Sequence, residues 1–342
     1  MGVTGAGIPD LGLQDFVLSC GLMPACHSPC YSALTGGVSS DVWKVEGGDR
    51  PFVVKKALAR LRVAQEWTAD VARSDREADY FEFVGRLLPD HVPQVLARAQ
   101  GMFAMPYFSS QTHLLWKDEL RQGRVDPEFA AALGAALAAI HSQSAARPAL
   151  LARFRCDADF HALRLAPYLE ATAQRHPDLS EHLQALVQTT LRHRHALVHG
   201  DVSPKNILMR RPSAAYAGTA IPVLLDAECA WHGDPAFDLA FCLNHLWLKS
   251  VWVPSAKPLL ELAFQQLAQA YRCRVDWEDP RALEARTAAL LPALLLARVD
   301  GKSPVEYLDE AQRERVRRCA RGLLLQRPTQ LADVEQAWRE ER

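Results

Sequence analysis

The hydrophobic rhythm of the chain changes near residue 110. Before that point, apolar and β-branched runs at 39–45 and 52–54 flank Gly47-Gly48-Asp49, which predicts two strands joined by a hairpin turn. Runs at 95–98 and 102–105 predict two more short strands, and Pro106 ends this sheet-like stretch. Between the pairs, Tyr80, Phe81, Val84, Leu87 and Leu88 recur at helical spacing. Ser74-Asp75-Arg76-Glu77 has the form of a capping box opening that helix, and Pro89 and Pro93 close it.

After residue 110 the period is mostly helical. Asp126-Pro127-Glu128 combines an N-cap acid, proline at the first helical position and a further acid, ahead of an apolar stripe of Phe129, Leu133, Leu137 and Ile140. Further helices are predicted at 157–174, 180–194, 235–249, 256–272, 280–297 and 306–323, and only 196–198, 207–209 and 223–225 read as strands. The fold class is α+β in two lobes. Residues 1–24 read as a loose Gly-rich lead-in, 25–108 as a small antiparallel β-rich lobe with one main helix, and 109–342 as a larger, mostly α-helical lobe. The joint falls near residues 107–111.

Two polar turns interrupt the helical half. His199-Gly200-Asp201-Val202-Ser203-Pro204-Lys205-Asn206 lies between the apolar runs 196–198 and 207–209, and Asp226-Ala227-Glu228 follows the run 223–225. If 207–209 and 223–225 pair as a hairpin, Asp201, Asn206 and Asp226 gather at one of its ends. Two carboxylates and an amide oxygen are hard ligands that suit Mg²⁺. In the first half, Glu77 falls on the apolar stripe of its helix, where a carboxylate is costly unless paired. It serves either a buried cation or the capping box with Ser74, and the two roles are compatible.

These residues carry a resemblance. His199-Gly200-Asp201 with Asn206, Asp226-x-Glu228, and Gly233-Asp234-Pro235-Ala236-Phe237-Asp238-Leu239-Ala240 resemble the motifs of the aminoglycoside phosphotransferase and choline kinase family. Within it the chain is most similar to the methylthioribose kinase-like small-molecule kinases, over about residues 30 to 310. The resemblance implies a bilobal protein-kinase-like fold and transfer of the ATP γ-phosphoryl group to a hydroxyl of a small metabolite, with ATP and Mg²⁺ as cofactors. It implies that Asp201 is the catalytic base or hydroxyl-orienting acid, that Asn206 and Asp226 bind Mg²⁺, and that Glu228 lies near the metals. His199 and Asp238 would hold the loop's backbone. Lys55 would grip the ATP phosphates with Glu77 as its partner, while Lys56 points to the opposite face. The turn containing Gly36, Gly37 and Ser39 would cover the phosphates, and residues 102–107 would meet adenine.

Bulk composition narrows the partners. The chain of 342 residues has a formal net charge of −1 and is 49% apolar, which gives no electrostatic footprint for nucleic acid. The N-terminus lacks the pattern of a signal peptide, and the apolar run 288–297 is about half of a membrane span. Eight scattered cysteines without an export signal imply reduced thiols and a cytoplasmic location. Cys26-His27-x-x-Cys30 is half of a metal-site spacing, but the one histidine pair at finger-like spacing, His195 and His199, runs into the polar loop. The expected partners are ATP and a small hydroxylated substrate, with no nucleic acid and no membrane; the oligomeric state is open.

The acceptor belongs on the helical lobe beside Asp201. Arg298 and Trp231 are candidate substrate contacts, with His232 and Trp247 able to line the same cleft or to pack. Aminoglycosides require an acidic cleft and choline an aromatic cage. A neutral or anionic polyol, a sugar or an amino alcohol fits best. Two readings stand beside this one: an aminoglycoside-type antibiotic phosphotransferase, and a catalytically inactive nucleotide-binding pseudokinase. The complete set of Lys55, Asp201, Asn206 and Asp226 argues against the second. Gly200 and Asp-Ala-Glu replace the arginine and Asp-Phe-Gly of protein kinases.

Overall fold

Alternating runs in the first third of the chain pair into one antiparallel sheet. In the computed structural model, which describes residues 3–6, 8–23, 27–34, 39–60, 70–213 and 218–341, the strands are β1 (Val3–Ala6), β2 (Cys30–Leu34), β3 (Ser40–Glu46), β4 (Phe52–Ala57), β5 (Ala97–Ala99) and β6 (Met102–Pro106). Their order is β1-β2-β3-β4-β6-β5. The predicted hairpin joins β3 and β4 in a register that places Val42 opposite Lys55. Together with Leu225–Glu228, residues 1–112 form one compact unit, and His113–Leu224 with Cys229–Arg342 form the other.

The segment expected to be a loose lead-in is packed. It holds β1 and a helix, Leu11–Ser19, whose Asp10 cap accepts from the Leu13 N–H at 3.1 Å. Leu13, Phe16 and Val17, spaced i, i+3, i+4, share a core with Val45, Phe52, Val54 and Ala104. The neighbouring glycines hid this stripe. The main helix of the unit, Arg73–Leu87, buries Glu77, Tyr80, Phe81 and Val84. It starts earlier than the capping box implied: Ala72 is the N-cap without a side-chain bond, and the buried Ser74 hydroxyl has no hydrogen-bond partner among the described residues. Glu77 is therefore freed for another role.

The second unit is helical around two small sheets. β9 (Ile207–Arg210) pairs antiparallel with β10 (Ile221–Leu224), Ile207 opposite Leu224, and β7 (His113–Leu115) joins the other edge of β9. β8 (Ala196–Val198) pairs with β11 (Trp231–Gly233). Helix Pro127–Ala145 carries the predicted Asp126 cap, which accepts from the Glu128 and Phe129 N–H groups. Helix Pro235–Trp252 is buried from Pro235 through Val251 and forms the centre of the unit. The stretch predicted as one helix at 157–174 is wound differently: α-helical Asp157–Phe160 and Ala171–Arg175 flank a π-helical turn, His161–Glu170. Pro167 inside it supplies no N–H to the ordinary ladder. Helices Ser180–Arg192, Lys257–Arg272, Pro280–Asp300 and Glu310–Gln326 match the remaining predicted spans, and a short helix, Trp116–Arg121, and a last one, Leu331–Glu340, lie in the same unit. Among the described residues no single helix is long and apolar enough to cross a membrane.

Candidate active site

The β-rich unit builds a buried charge cluster. Lys55 lies on β4, whose residues from Phe52 to Lys55 are all buried, so its ammonium is turned into protein on either face. It meets both Glu77 oxygens, at 2.7 and 2.9 Å, and also pairs with Asp226. Burial alone would lower the Lys55 pKa; the carboxylates of Asp226, Glu77 and Glu228 override this and hold it above its ordinary value. Burial, reinforced by Asp226, pushes the Glu77 carboxyl upward against the pull of Lys55. Lys56 points away and pairs with Asp10 at 2.8 Å.

Asp226 occupies the left-handed region at φ 63°, a conformation that aspartate tolerates better than most residues. Its neighbour Glu228 is taken by Arg73 at 3.0 Å. Arg73 is 1% exposed and also donates to the carbonyls of Ser39, Leu58 and Asp70. Sequence reasoning missed Arg73, because its partners lie far along the chain. Glu228, expected near the metals, has its charge neutralised by this guanidinium. Ser39, expected over the phosphates, is buried, and its carbonyl accepts from the Leu58 N–H at 2.9 Å as well as from Arg73. Gly36 and Gly37 lie outside the described residues.

The helical unit holds the loop after β8. Asp238, in the first turn of helix Pro235–Trp252, accepts from the backbone N–H groups of His199 at 2.6 Å and Gly200 at 2.8 Å. His141 contacts the same carboxylate at 3.2 Å. Gly200 has φ 78°, and a Cβ there would meet the Cys229 carbonyl oxygen at 2.5 Å, so the turn demands glycine. Arg164, on the π-helical turn, donates from Nε to the Gly200 carbonyl and lies 3.0 Å from an Asp201 oxygen. Lys205 is 3.4 Å from the same oxygen. Burial alone would raise the Asp201 pKa; Lys205 and Arg164 override it and hold the carboxyl well below the usual carboxylate range. Asn206 donates from Nδ2 to the Asp201 carbonyl at 3.2 Å, which leaves its Oδ1 as the accepting side.

Asp201 opens on a cavity of ≈ 120 Å³ within the same unit. Arg298 lines it, held by the Ser303 carbonyl and hydroxyl and by the Tyr168 hydroxyl at 3.3 Å. Lys117, Lys205 and Lys249 also line it, none of which was singled out from sequence. Trp231 does not line it. Its ring is fully buried, stacked on Phe160 at 4.2 Å, and its Nε1 donates to Asp157 at 2.7 Å. Trp247 is likewise core, stacked between Phe264 and Trp338. An indole needs a partner for its N–H whether it packs or binds, and sequence does not distinguish the two.

Each unit offers a hard oxygen donor of the kind that a divalent cation takes. Asp226 offers a carboxylate that is 28% exposed, and Asn206 offers an unspent amide oxygen; both are hard oxygen donors.

The methylthioribose kinase of Pectobacterium atrosepticum is 24% identical over 261 residues, which cover 69% of this chain and 63% of that protein. A Yersinia pseudotuberculosis methylthioribose kinase is 25% identical over 228 residues, covering 59% and 54%. The chain thus spans 54 to 63% of the length of these curated relatives. Among solved structures, the Plasmodium vivax ethanolamine kinase superposes with a TM-score of 0.54 at 10% identity, covering 92% of this chain and 86% of that one. That likeness is one of fold, and the fold is protein-kinase-like. Residues 31–283 match the model of the phosphotransferase enzyme family, and the chain belongs to that family.

Proposed function

We propose that this protein is an ATP- and Mg²⁺-dependent kinase that phosphorylates a hydroxyl of a small metabolite. The observation that carries the reading is Asp201: a buried carboxylate on a loop braced by Asp238 and Arg164, facing a cavity the size of a small molecule.

In the reaction, the acceptor oxygen bonds to the γ-phosphorus as the bond from that phosphorus to the β,γ-bridging oxygen breaks. ADP and a phosphate monoester result. The hydroxyl proton passes to an Asp201 oxygen. Because Lys205 and Arg164 keep Asp201 ionised, it is a weak base and a good hydrogen-bond acceptor. Its work is to orient the hydroxyl in line, and to take the proton once the new bond has formed. Lys55, oriented by Glu77, supplies positive charge to the phosphates. Asn206 and Asp226 offer oxygens to Mg²⁺. A divalent cation held by these oxygens would supply charge neutralisation for the phosphates. Glu228, clamped by Arg73, anchors the Asp226 turn.

The test is release of ADP against a panel of hydroxylated metabolites, with Asp201→Asn in parallel. Loss of transfer in Asp201→Asn with retained Mg·ATP binding is expected. Equal transfer rates in the variant and the parent protein would overturn the reading. The aminoglycoside alternative is disfavoured by the cavity lining, where Lys117, Lys249 and Arg298 repel a polycation.

A further inference from the structure

The cavity beside Asp201 is lined by four cationic side chains, Lys117, Lys205, Lys249 and Arg298, and one carboxylate, Asp201 itself. Asp201 is already neutralised by Lys205 and by Arg164 beneath it. Lys117, Lys249 and Arg298 have no carboxylate within ion-pair distance among the described residues, although the more distant Asp118 partly offsets the repulsion at Lys249. Lys249 is 2% exposed, and its ammonium donates no hydrogen bond among them. Its ammonium lies 3.6 Å from the ring centre of Tyr307 and 4.2 Å from that of Trp252. Burial, then repulsion from Lys117 and Arg298, pushes its pKa down to about 7.

Further donors around the same space are idle too. Among the described residues the Ser203 and Tyr307 hydroxyls and the Arg298 Nε have no hydrogen-bond partner, although all three residues line the cavity. Buried donors without acceptors are rare and costly, and here they converge. His245, also on the wall, is held neutral by burial and by Arg298 and Lys249, so it adds no positive charge of its own. A cationic acceptor finds no place: the aromatic pair formed by Trp252 and Tyr307, the natural seat of an ammonium, is filled by Lys249.

We propose that the acceptor is a small hydroxylated anion, a carboxylate or a phosphate monoester. Its anionic oxygens pair with Lys249, Arg298 and Lys117, and its reacting hydroxyl faces Asp201. This rests on the kinase reading above and narrows its substrate class. The cavity of ≈ 120 Å³ suits a small acceptor. Charge-assisted bonds to the anion satisfy the donors that are idle in the free protein.

The experiment is ADP release with matched acceptors in four arms. Glycerol and D-glucitol are neutral, D-glycerate and D-gluconate carry a carboxylate, sn-glycerol 3-phosphate and D-glucitol 6-phosphate carry a phosphate, and ethanolamine and kanamycin are cationic. The expected result is kcat/KM at least about 30-fold higher in the carboxylate or the phosphate arm than for the neutral counterparts. Whichever arm wins identifies the anion. Lys249→Met should raise KM for that acceptor by a similar factor while KM for ATP stays unchanged. Higher turnover in the neutral or cationic arm overturns the proposal and leaves the kinase reading intact. An acceptor KM unmoved in Lys249→Met, or a shift in KM for ATP alone, overturns it as well. If no arm releases ADP, the kinase reading fails. The anion site is then decided by calorimetric titration of D-gluconate and sn-glycerol 3-phosphate into the parent protein and Lys249→Met. Saturable binding lost in the variant supports the site, and absence of binding refutes it.

Discussion

The Arg164 guanidinium lies 3.0 Å from an Asp201 carboxylate oxygen, and both side chains are more than nine-tenths buried. Arg164 also holds the Gly200 carbonyl, so one side chain fixes both the charge and the backbone of the loop. Removing it leaves Asp201 with Lys205 alone. Arg164→Gln is expected to cost about 3–5 kcal/mol, the usual penalty for breaking a buried pair from one side. Arg164→Gln combined with Asp201→Asn should recover much of that loss, and turnover should stay abolished. Denaturant melts of the two single variants and the double variant measure the coupling. Additive losses would mean that the pair is not a unit. Asp201's depressed pKa also predicts stability that is complete above the ordinary carboxylate value and is lost as pH falls below it.

Lys55 stands between Glu77 and Asp226, and the two carboxylates differ in what they can do for it. Glu77 is 1% exposed, fixed on its helix and wholly committed to Lys55. Asp226 retains accessible carboxylate surface. Asp226→Asn is therefore expected to weaken Mg·ATP binding at least about tenfold, with a smaller effect on ATP binding measured without Mg²⁺. Glu77→Gln should weaken both alike, since it acts through Lys55. Calorimetric titration of ATP with and without Mg²⁺ separates the two. An Asp226→Asn loss that is the same in both conditions would remove Asp226 from the metal site.

The loop before Asp201 allows no side chain at Gly200. Its φ is 78°, and the Cys229 carbonyl oxygen lies 2.5 Å from the point a methyl group would occupy, so Gly200→Ala must either shift the loop or strain it. A loss of about 1–3 kcal/mol is expected. Turnover should fall more than Mg·ATP affinity, because Asp201 is the next residue, whereas Asn206 lies at the far end of the loop and Lys55, Glu77 and Asp226 lie outside it. A thermal melt and a kcat comparison check this. Unchanged kcat would show that Asp201 is positioned without Gly200.

Much of this site was legible in the sequence, and the residues that were missed share a cause. Asp201, Asn206 and Asp226 sit on turns flanked by apolar runs, where a polar residue has no packing reason to be. Glu77 was legible because a carboxylate on an apolar helical stripe requires a partner, and Lys55 is that partner. The same reasoning applies to Arg164, set between Phe160 and Tyr168 one turn on either side, and to Lys249, on a helix buried along nearly its whole length. Both are cations on apolar faces, and that signal was available. Which carboxylate or ligand each one serves was not, because partners 36 or more residues away leave no local trace. Ser74 misled for the opposite reason. Its spacing from Glu77 matched a cap, but the chain enters the helix two residues earlier, with Ala72 as N-cap, and tertiary pairing of Glu77 won. The lead-in was misjudged because glycines at 2, 5, 7 and 12 masked a three-residue apolar stripe.

Lys249 makes acceptor binding sensitive to pH in a direction fixed by its environment. Lys117, Asp118, Arg298, His245, Tyr307 and Trp252 face or surround it. Burial moves His245 below the neutral range and Tyr307 above it, so neither titrates alongside Lys249. In the free protein the Lys249 pKa is pushed down to about 7. A bound anion favours the ammonium and raises that value. Between the two values, binding takes up a proton, so affinity falls as pH rises; below the lower one it is flat. KM for the anionic acceptor should be constant from pH 6 to about 7 and then climb toward tenfold per pH unit. Lys249→Arg, whose charge persists across this range, should abolish the climb and keep the low KM, and Lys249→Met should abolish it at a high KM. The free protein should also gain stability as pH rises from about 7 toward the ordinary lysine value, because the unfolded chain then holds the extra proton. Lys249→Met should erase that slope. A KM profile that climbs equally in all three proteins would place the titrating group elsewhere.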